Sequence, residues 1–197
     1  WGAQLEVQVV RGGVGIDGQL WRHLYGLEGG RGQCVPLLTA GDEAAGGAEA
    51  AVAGAEAEEI AREREARPSL RILHGAELNI APDGSIDYDA DFLEEMFEFG
   101  VASIHSHFDL DEATQTNRLI AAIENPAVNV VGHPSGRKIG SRPGARFNAD
   151  AVFEAAADTG TALEINCHLD RLDLPAGLLQ RARDREVVFT ISTDAPD

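Results

Sequence analysis

The chain lacks a disulfide framework, a long apolar run and an excess of positive charge. Its 197 residues include two cysteines, Cys34 and Cys167, which exclude a disulfide scaffold and fit a reducing cytoplasm. No apolar run approaches the roughly 20 residues of a membrane span, and no signal peptide is visible, so no membrane association is predicted. With 16 basic against 33 acidic residues, the formal net charge of −17 restricts nucleic acid to a local basic patch.

The apolar content is high enough for one folded domain, since 44% of the residues are hydrophobic. The first third of the chain differs in character from the rest. Residues 40–57 include 13 alanines and glycines, and the Gly-rich stretch before them shows neither helical nor strand periodicity. We therefore predict an irregular Gly/Ala-rich segment over 1–54, alternatively one outside the native reading frame, and a regular domain over 55–197.

From residue 55 onward, helical and strand patterns alternate five times. Strong helix formers over 55–67 end before Pro68, and period-2 alternation then runs through 70–80. Further helices are predicted over 89–99, 111–124, 149–158 and 175–185, and further strands over 100–105, 128–133, 161–166 and 187–194. This alternation is typical of an α/β fold with a parallel sheet.

Polar residues recur near the ends of the predicted strands. They are Glu77, His105, His133, Asn166 and Asp194, separated by 28, 28, 33 and 28 residues. A strand, a helix and two connecting loops occupy about that length of chain. Because parallel strands place their carboxyl ends on one side of a sheet, we expect these side chains to converge there, where barrel enzymes keep their active sites.

These residue types predict a metal centre. Glu, His and Asp offer oxygen and imidazole ligands, which suit Zn²⁺, Mn²⁺ or iron. A metal held in this way lowers the pKa of bound water towards about 7 and binds phosphate oxygens. His107 lies two residues after His105, so on a continuing strand it faces the same way and is a candidate extra ligand or catalytic proton donor.

One stretch of the chain is strongly basic. The loop that begins at His133 reads HPSGRKIGSRPGARF and brings Arg137, Lys138, Arg142 and Arg146 beside the predicted metal centre. Arginine forks match phosphate oxygens, so we predict that this loop contacts phosphate groups. The alternative is a solvated loop whose charges pair with nearby carboxylates.

At these residues the sequence resembles the PHP (polymerase and histidinol phosphatase) domain, and most closely the C-terminal PHP module of bacterial family X DNA polymerases. The matching stretches cover roughly residues 55–195 and read GAELNIAPDGSIDYDADFLEEM, VASIHSHF, ENPAVNVVGHPSGRKIGSR, TGTALEINCHLDRLDL and ISTDA. The N-terminal third does not match.

The resemblance implies a distorted (β/α)7 TIM-like barrel of the PHP type, with up to three Mn²⁺ or Zn²⁺ ions at its carboxyl end. It implies phosphoester hydrolysis, in the polymerase-linked modules 3′–5′ exonuclease action on DNA ends, with a polymerase domain upstream of Trp1. Family metal ligands match Glu77, His105, His133 and Asp194. The basic loop of the family matches Arg137 and Arg142, and its EIN-to-RxDL segment matches Asn166 and Arg171. We expect these four residues, with Lys138, to bind the phosphate or substrate.

The sequence departs from the family near both ends. The opening His-x-His strand and a second early motif ending in Asp-His are absent, and His23 is the one histidine before His74. The final Asp-Ala-His of the family is here Asp194-Ala195-Pro196. We therefore expect a barrel that is incomplete at its N-terminal side, and weak or no Mn²⁺-dependent exonuclease activity where the intact parent is active.

Three functions stay open on the sequence alone. The first is the metal-dependent 3′–5′ exonuclease or DNA end-processing module of a family X polymerase, in the cytoplasm. The second is a stand-alone histidinol-phosphatase-like phosphomonoesterase, and the third is a degenerate, non-catalytic barrel that positions DNA or serves a structural role. The basic loop and the DGSIDY stretch favour the first function, whereas the missing motifs favour the third.

Overall fold

The computed structural model describes residues 7–11, 33–39, 46–68 and 71–192. The strands are β1 (Val7–Arg11), β2 (Gln33–Thr39), β3 (Arg71–Ile72), β4 (Gly75–Asn79), β5 (Phe99–Ser103), β6 (Val130–Gly132), β7 (Ala162–Asn166) and β8 (Phe189–Ser192). The helices are α1 (Gly46–Ala66), α2 (Ala90–Met96), α3 (Glu112–Ile123), α4 (Ala149–Thr159) and α5 (Ala176–Arg183). From α2 onward, one helix separates each strand from the next.

The described strands form one parallel sheet. Its hydrogen-bonded order is β1-β2-β4-β5-β6-β7-β8, and the short β3 also pairs with β2. Cα atoms of β1 and β8, at the two ends of this order, come within 8 Å of each other. The predicted α/β fold with a parallel sheet is therefore confirmed. The carboxyl ends of the strands share one edge, which we call the rim.

The two faces of the sheet bury different side chains because strand residues alternate in direction. On one face, Ala76 and Leu78 of β4 join a buried apolar core with Leu119 of α3 and Phe153 of α4. Glu77 lies on the other face, in register with a row of small apolar residues: Val101, Val130 and Ala162. This second face therefore carries a buried carboxylate close to the rim.

Helix ends follow the local capping chemistry. The side chain of Asn148 accepts hydrogen bonds from the backbone N–H groups of Asp150 and Ala151, and Gly160, whose φ is 78°, caps the carboxyl end of α4. Both ends were predicted, because asparagine caps exposed N–H groups and glycine tolerates the left-handed conformation. None of the described helices is long and apolar enough to cross a membrane.

The sequence predicted irregular structure over 1–54. This prediction is wrong for β1, for β2 and for the first residues of α1. β1 and β2 are parallel neighbours within 1–54, and β2 also pairs with β4. Pro36 lies inside β2, opposite Val10, although proline has no backbone N–H to donate to a strand ladder. Helix α1 begins at Gly46. Its many alanines have the highest helix propensity and offset the low propensity of its glycines. The domain boundary at residue 54 stays a prediction.

The predicted strand over 70–80 is divided in the structure. β3 pairs with β2 over two residues, and β4 starts at Gly75 with its own register against β2 and β5. The chain steps out of the ladder at Leu73 and His74, both of which are buried. The alternation of side chains that the sequence predicted is kept within β4, where Glu77 and Leu78 lie on opposite faces.

Close packing between β5 and β6 predicts a stability effect at Gly132. A Cβ atom there would lie 2.4 Å from the Ser103 hydroxyl oxygen and 3.0 Å from a Val101 methyl carbon. We expect Gly132→Ala to lower the free energy of unfolding by about 1–3 kcal/mol in urea denaturation, as overpacking does. Gly177→Ala in α5 is the matched control, because no atom lies within 4 Å of its added Cβ. Equal stability of the two variants would contradict the packing described here.

Candidate metal centre

Three side chains from three neighbouring strand ends meet at the rim. Glu77 belongs to β4, His105 follows β5 and His133 follows β6. The Glu77 Oε1 atom lies 3.2 Å from His105 Nε2 and 3.6 Å from His133 Nε2. One potential ligand atom from each residue lies within 4.8 Å of the others. The convergence expected from the even spacing of these three residues is present in the structure.

The donor set fits a divalent cation. His133 is 1% exposed, and neither of its ring nitrogens has a hydrogen-bond partner within the described residues. A buried imidazole without a partner is costly, and a bound metal would satisfy it. Glu77 is 6% exposed, so its carboxylate is held between two imidazoles with little water. One carboxylate and two imidazoles are ligands that Zn²⁺ and Mn²⁺ accept.

A chain of hydrogen bonds orients His105. The Asn79 Nδ2 group donates to Asp87 Oδ2 over 2.7 Å, so Asn79 Oδ1 faces the imidazole, where it accepts from His105 Nδ1. This contact leaves Nε2 of His105 on the side of Glu77, where it would be available to hold a metal ion. Burial raises the pKa of the Asp87 carboxyl, while the hydrogen bonds from Asn79 oppose that shift. Such outer contacts fix the tautomer and ring orientation of metal-binding histidines.

Removal of the Asn79 amide should therefore weaken metal binding. We expect Asn79→Ala to raise the Kd for Mn²⁺ or Zn²⁺ by about 10–100-fold in isothermal titration calorimetry, because His105 loses its orienting partner. Asn129→Ala is the matched control: the Asn129 side chain accepts from the Gly100 N–H, at the opposite end of β5. Equal metal affinities in the two variants would show that Asn79 does not orient the histidine.

The carboxylate of Glu164 in β7 supports the backbone of His133. Its Oε2 accepts from the backbone N–H of His133 and, over 3.2 Å, from the Asn166 amide, while Oε1 accepts from the Ser192 hydroxyl. Glu164 is 6% exposed. The sequence analysis missed this carboxylate, although its place two residues before Asn166 on one strand puts both side chains on one face.

A second buried carboxylate supports the turn after His133. Asp173 is fully buried and accepts from the Ser135 N–H over 3.0 Å and from the Ser135 hydroxyl over 2.9 Å. Burial raises the pKa of Asp173, and the two hydrogen bonds from Ser135 oppose the rise. The chain reverses between His133 and Gly136, where the Gly136 N–H donates to the His133 carbonyl over 2.7 Å. The His133 position is thus held from two sides.

The other predicted site residues near the centre have different positions. Asn166 is buried, donates to Glu164 and accepts from the His168 N–H. Its described contacts therefore hold the Glu164 carboxylate and the loop after β7. His107 is exposed and is not among the three clustered residues, because the strand ends at Ser103 and the period-2 argument no longer applies there. Asp194 lies outside the described residues.

Four of the five predicted phosphate-binding residues are basic. We call these four the basic rim: Arg137, Lys138, Arg142 and Arg171. Arg137 donates to the carbonyls of Arg171 and Leu172, and Arg142 donates twice to the Gly136 carbonyl. The Arg142 guanidinium also lies 3.7 Å from the centre of the Phe108 ring. These contacts connect the loop after β6 to the loops after β5 and β7. Burial, and then the positive charge of Arg171, lower the pKa of Arg142.

Comparison with known proteins gives relatives but no matching family model. The chain is 44% identical over 127 residues to the DNA polymerase/3′–5′ exonuclease PolX of Bacillus subtilis. The aligned region covers 64% of this chain and 22% of that protein. It is 37% identical over 98 residues to a probable phosphatase of Shewanella sp. (strain W3-18-1), covering 48% of this chain and 36% of that protein. The chain thus spans about a fifth to a third of these relatives.

Two solved structures share the fold. A Listeria monocytogenes protein assigned as a histidinol phosphatase aligns with a TM-score of 0.54 at 14% identity, over 83% of this chain and 82% of its own. A chain in an archaeal ribonuclease P structure with mature tRNA aligns with a TM-score of 0.53 at 14% identity, over 98% and 74%. The fold of the first structure, together with the polymerase and phosphatase relatives, confirms the resemblance to the PHP domain.

Proposed function

We propose that the chain is a metal-dependent phosphoesterase module that acts on 3′ ends of DNA beside a polymerase domain in the cytoplasm. The observation that carries the proposal is the cluster of Glu77, His105 and His133 at the rim, with ligand atoms within 4.8 Å of one another. The similarity to a DNA polymerase/3′–5′ exonuclease supports the choice of DNA as substrate. The basic rim next to His133 supports it independently, since the chain as a whole is strongly acidic.

In this proposal the clustered residues hold Mn²⁺ or Zn²⁺. Such an ion, when bound, lowers the pKa of a water molecule and neutralises charge on the phosphate oxygens. The water oxygen attacks phosphorus, the bond from phosphorus to the 3′ oxygen breaks, and one water proton leaves to solvent. We assign protonation of the departing 3′ oxygen to His107, which is exposed two residues beyond His105 and contacts Ser106 Oγ through Nδ1 over 2.9 Å.

The basic rim supplies the phosphate contacts. The described contacts of Arg137 and Arg142 use Nε and Nη2, which leaves the Nη1 group of each for a phosphate oxygen. Asn166 and Arg171 complete the predicted set, with Asn166 acting through Glu164 and Arg171 next to Arg142. Guanidinium groups suit this role because their forks match the geometry of phosphate oxygens.

Lys138 offers the cleanest test of the basic rim. Its side chain is exposed, and its described hydrogen bonds involve the backbone only. We expect Lys138→Met to weaken binding of single-stranded DNA in fluorescence anisotropy and to reduce the slope of log K against log salt by about 1, as loss of one phosphate contact does. Arg183→Met, at an exposed cation of α5, is the control of equal charge change. Equal weakening by both variants would indicate a general charge effect instead.

The second candidate is a phosphatase for a small monoester, which the similarity to probable phosphatases favours. A substrate panel separates the two: 3′-labelled single-stranded DNA, histidinol phosphate and p-nitrophenyl phosphate, each with Mn²⁺ or Zn²⁺. Faster release of nucleotides from DNA than of phosphate from either monoester is expected. The reverse order would assign the monoester function, and loss of all three activities beside intact metal binding would favour a non-catalytic domain.

A further inference from the structure

Arg118 is buried without a carboxylate partner among the described residues. It lies on α3, is 1% exposed, and its hydrogen-bond acceptors are four backbone carbonyls and the side-chain oxygen of Gln115. Burial lowers the pKa of Arg118, yet an arginine stays charged in proteins. A desolvated cation is costly unless its donors are satisfied. The described acceptors of Arg118 are all neutral oxygens, so its burial depends on the loops that supply them.

The carbonyls belong to two different loops of the rim. Nε donates to Ala81 over 2.9 Å and Nη2 donates to Ile80, both in the loop after β4. Nη1 donates to Ser106 over 3.0 Å and to His107 over 3.4 Å, both in the loop after β5. The first loop follows the strand that carries Glu77, and the second contains His105. One guanidinium therefore spans the two chain segments that bring these ligands together.

Gln115 strengthens the hold on the second loop. It lies one helical turn before Arg118 and is fully buried; its Nε2 donates to the His107 carbonyl over 2.7 Å. His107 has a φ of 54°, a left-handed conformation that a non-glycine residue keeps only when its surroundings impose it. Donors from Arg118 and Gln115 converge on this one carbonyl and hold the loop in that conformation.

We propose that Arg118 is a positioning residue of the metal centre, which sets the distance between His105 and Glu77 by joining the loops after β4 and β5. The proposal rests on the proposed metal centre but not on its substrate. Arginine is needed because its rigid fork presents separate N–H groups to each loop, whereas a lysine ammonium is a compact point charge. A substitution that keeps the charge but removes the fork should therefore disturb the centre.

The test compares metal affinity with stability in the complete chain. We expect Arg118→Met to raise the Kd for Mn²⁺ in calorimetry by about 10–100-fold, the usual effect of losing support around a ligand. Arg118→Lys should raise it by a smaller but measurable factor. Thr161→Val is the matched control, because the Thr161 hydroxyl donates to the Ile123 carbonyl at the other end of α3 and its loss lowers stability away from the rim.

Hydrogen exchange of the metal-free protein gives a second readout. Faster exchange at the amides of 80–82 and 105–108 in Arg118→Lys, with no such change in Thr161→Val, is the expected result. An unchanged Kd and unchanged exchange in Arg118→Lys, beside a wild-type chain that binds Mn²⁺, would overturn the positioning role alone. Failure of the wild-type chain to bind Mn²⁺ or Zn²⁺ would instead overturn the metal centre, and the positioning role with it.

Discussion

Glu77→Gln is expected to abolish tight binding of divalent metal. Its Oε1 atom is the one that approaches both imidazoles, at 3.2 Å from His105 Nε2 and 3.6 Å from His133 Nε2. A glutamine amide keeps the shape but is neutral, and it loses the charge attraction that a divalent cation needs from a carboxylate. Since outer contacts alone are worth about 10–100-fold in metal affinity, we expect loss of this ligand to raise the Kd for Mn²⁺ by about 100-fold or more.

Calorimetry with Mn²⁺ and Zn²⁺ measures this effect directly. Glu94→Gln makes the same chemical change at an exposed position on α2 and serves as the control. The circular dichroism spectrum of Glu77→Gln should match that of the unmodified chain, so that a lost fold is not read as a lost ligand. Tight binding by Glu77→Gln would remove the carboxylate from the centre and leave the two histidines unexplained.

Restoring the missing family motifs is expected to produce the largest gain in activity. The unmodified chain offers three clustered ligands among its described residues, whereas the family resemblance implies up to three ions. We compare it with a version that carries a family His-x-His segment near the N-terminus and Pro196→His. Because cleavage needs water activation and charge neutralisation together, we expect Mn²⁺-dependent nucleotide release to rise by about 100-fold or more.

The restored version has its own control. Addition of Glu77→Gln to it should return the activity to the level of the unmodified chain, because the gain depends on the same centre. The measurement is release of labelled nucleotides from the 3′ end of single-stranded DNA at matched metal concentration. Equal, robust activity in the restored and unmodified chains would make the missing motifs irrelevant. No activity in the restored version would favour a structural role for the domain.

Much of the site was predictable because the fold repeats a strand, a helix and two loops over nearly equal lengths. Glu77, His105 and His133 are 28 residues apart in succession, and parallel strands place residues with that spacing on one edge. Short motifs could not have done this alone. The same argument fails for His107. The strand before it ends at Ser103, so the alternation of side chains along a strand no longer gives the direction of the His107 side chain.

The supporting residues were beyond the reach of spacing. Asn79 contacts His105 across 26 positions of sequence, and Glu164 contacts the His133 backbone across 31. Arg118 reaches Ile80 across 38 positions, and an arginine in a helix is ordinarily interpreted as a solvated residue. Each of these contacts depends on how neighbouring loops pack. The local pattern gives the strand face of Glu164 but not its partners, and it gives no sign of the contacts of Asn79 and Arg118.

The sequence by itself determined the parallel α/β layout, most helix starts and stops, and the convergence of Glu77, His105 and His133 at the rim, because periodicity and capping are local properties of the chain. The tertiary structure alone decided that Pro36 lies inside a paired strand, that Arg137 and Arg142 connect the loop after β6 to its neighbours, and that Arg118 and Glu164 support the histidine loops. For the three arginines and Glu164 the physical reason is the same. A buried charge or donor is stable only where distant parts of the chain supply its partners, and those partners come together only on folding.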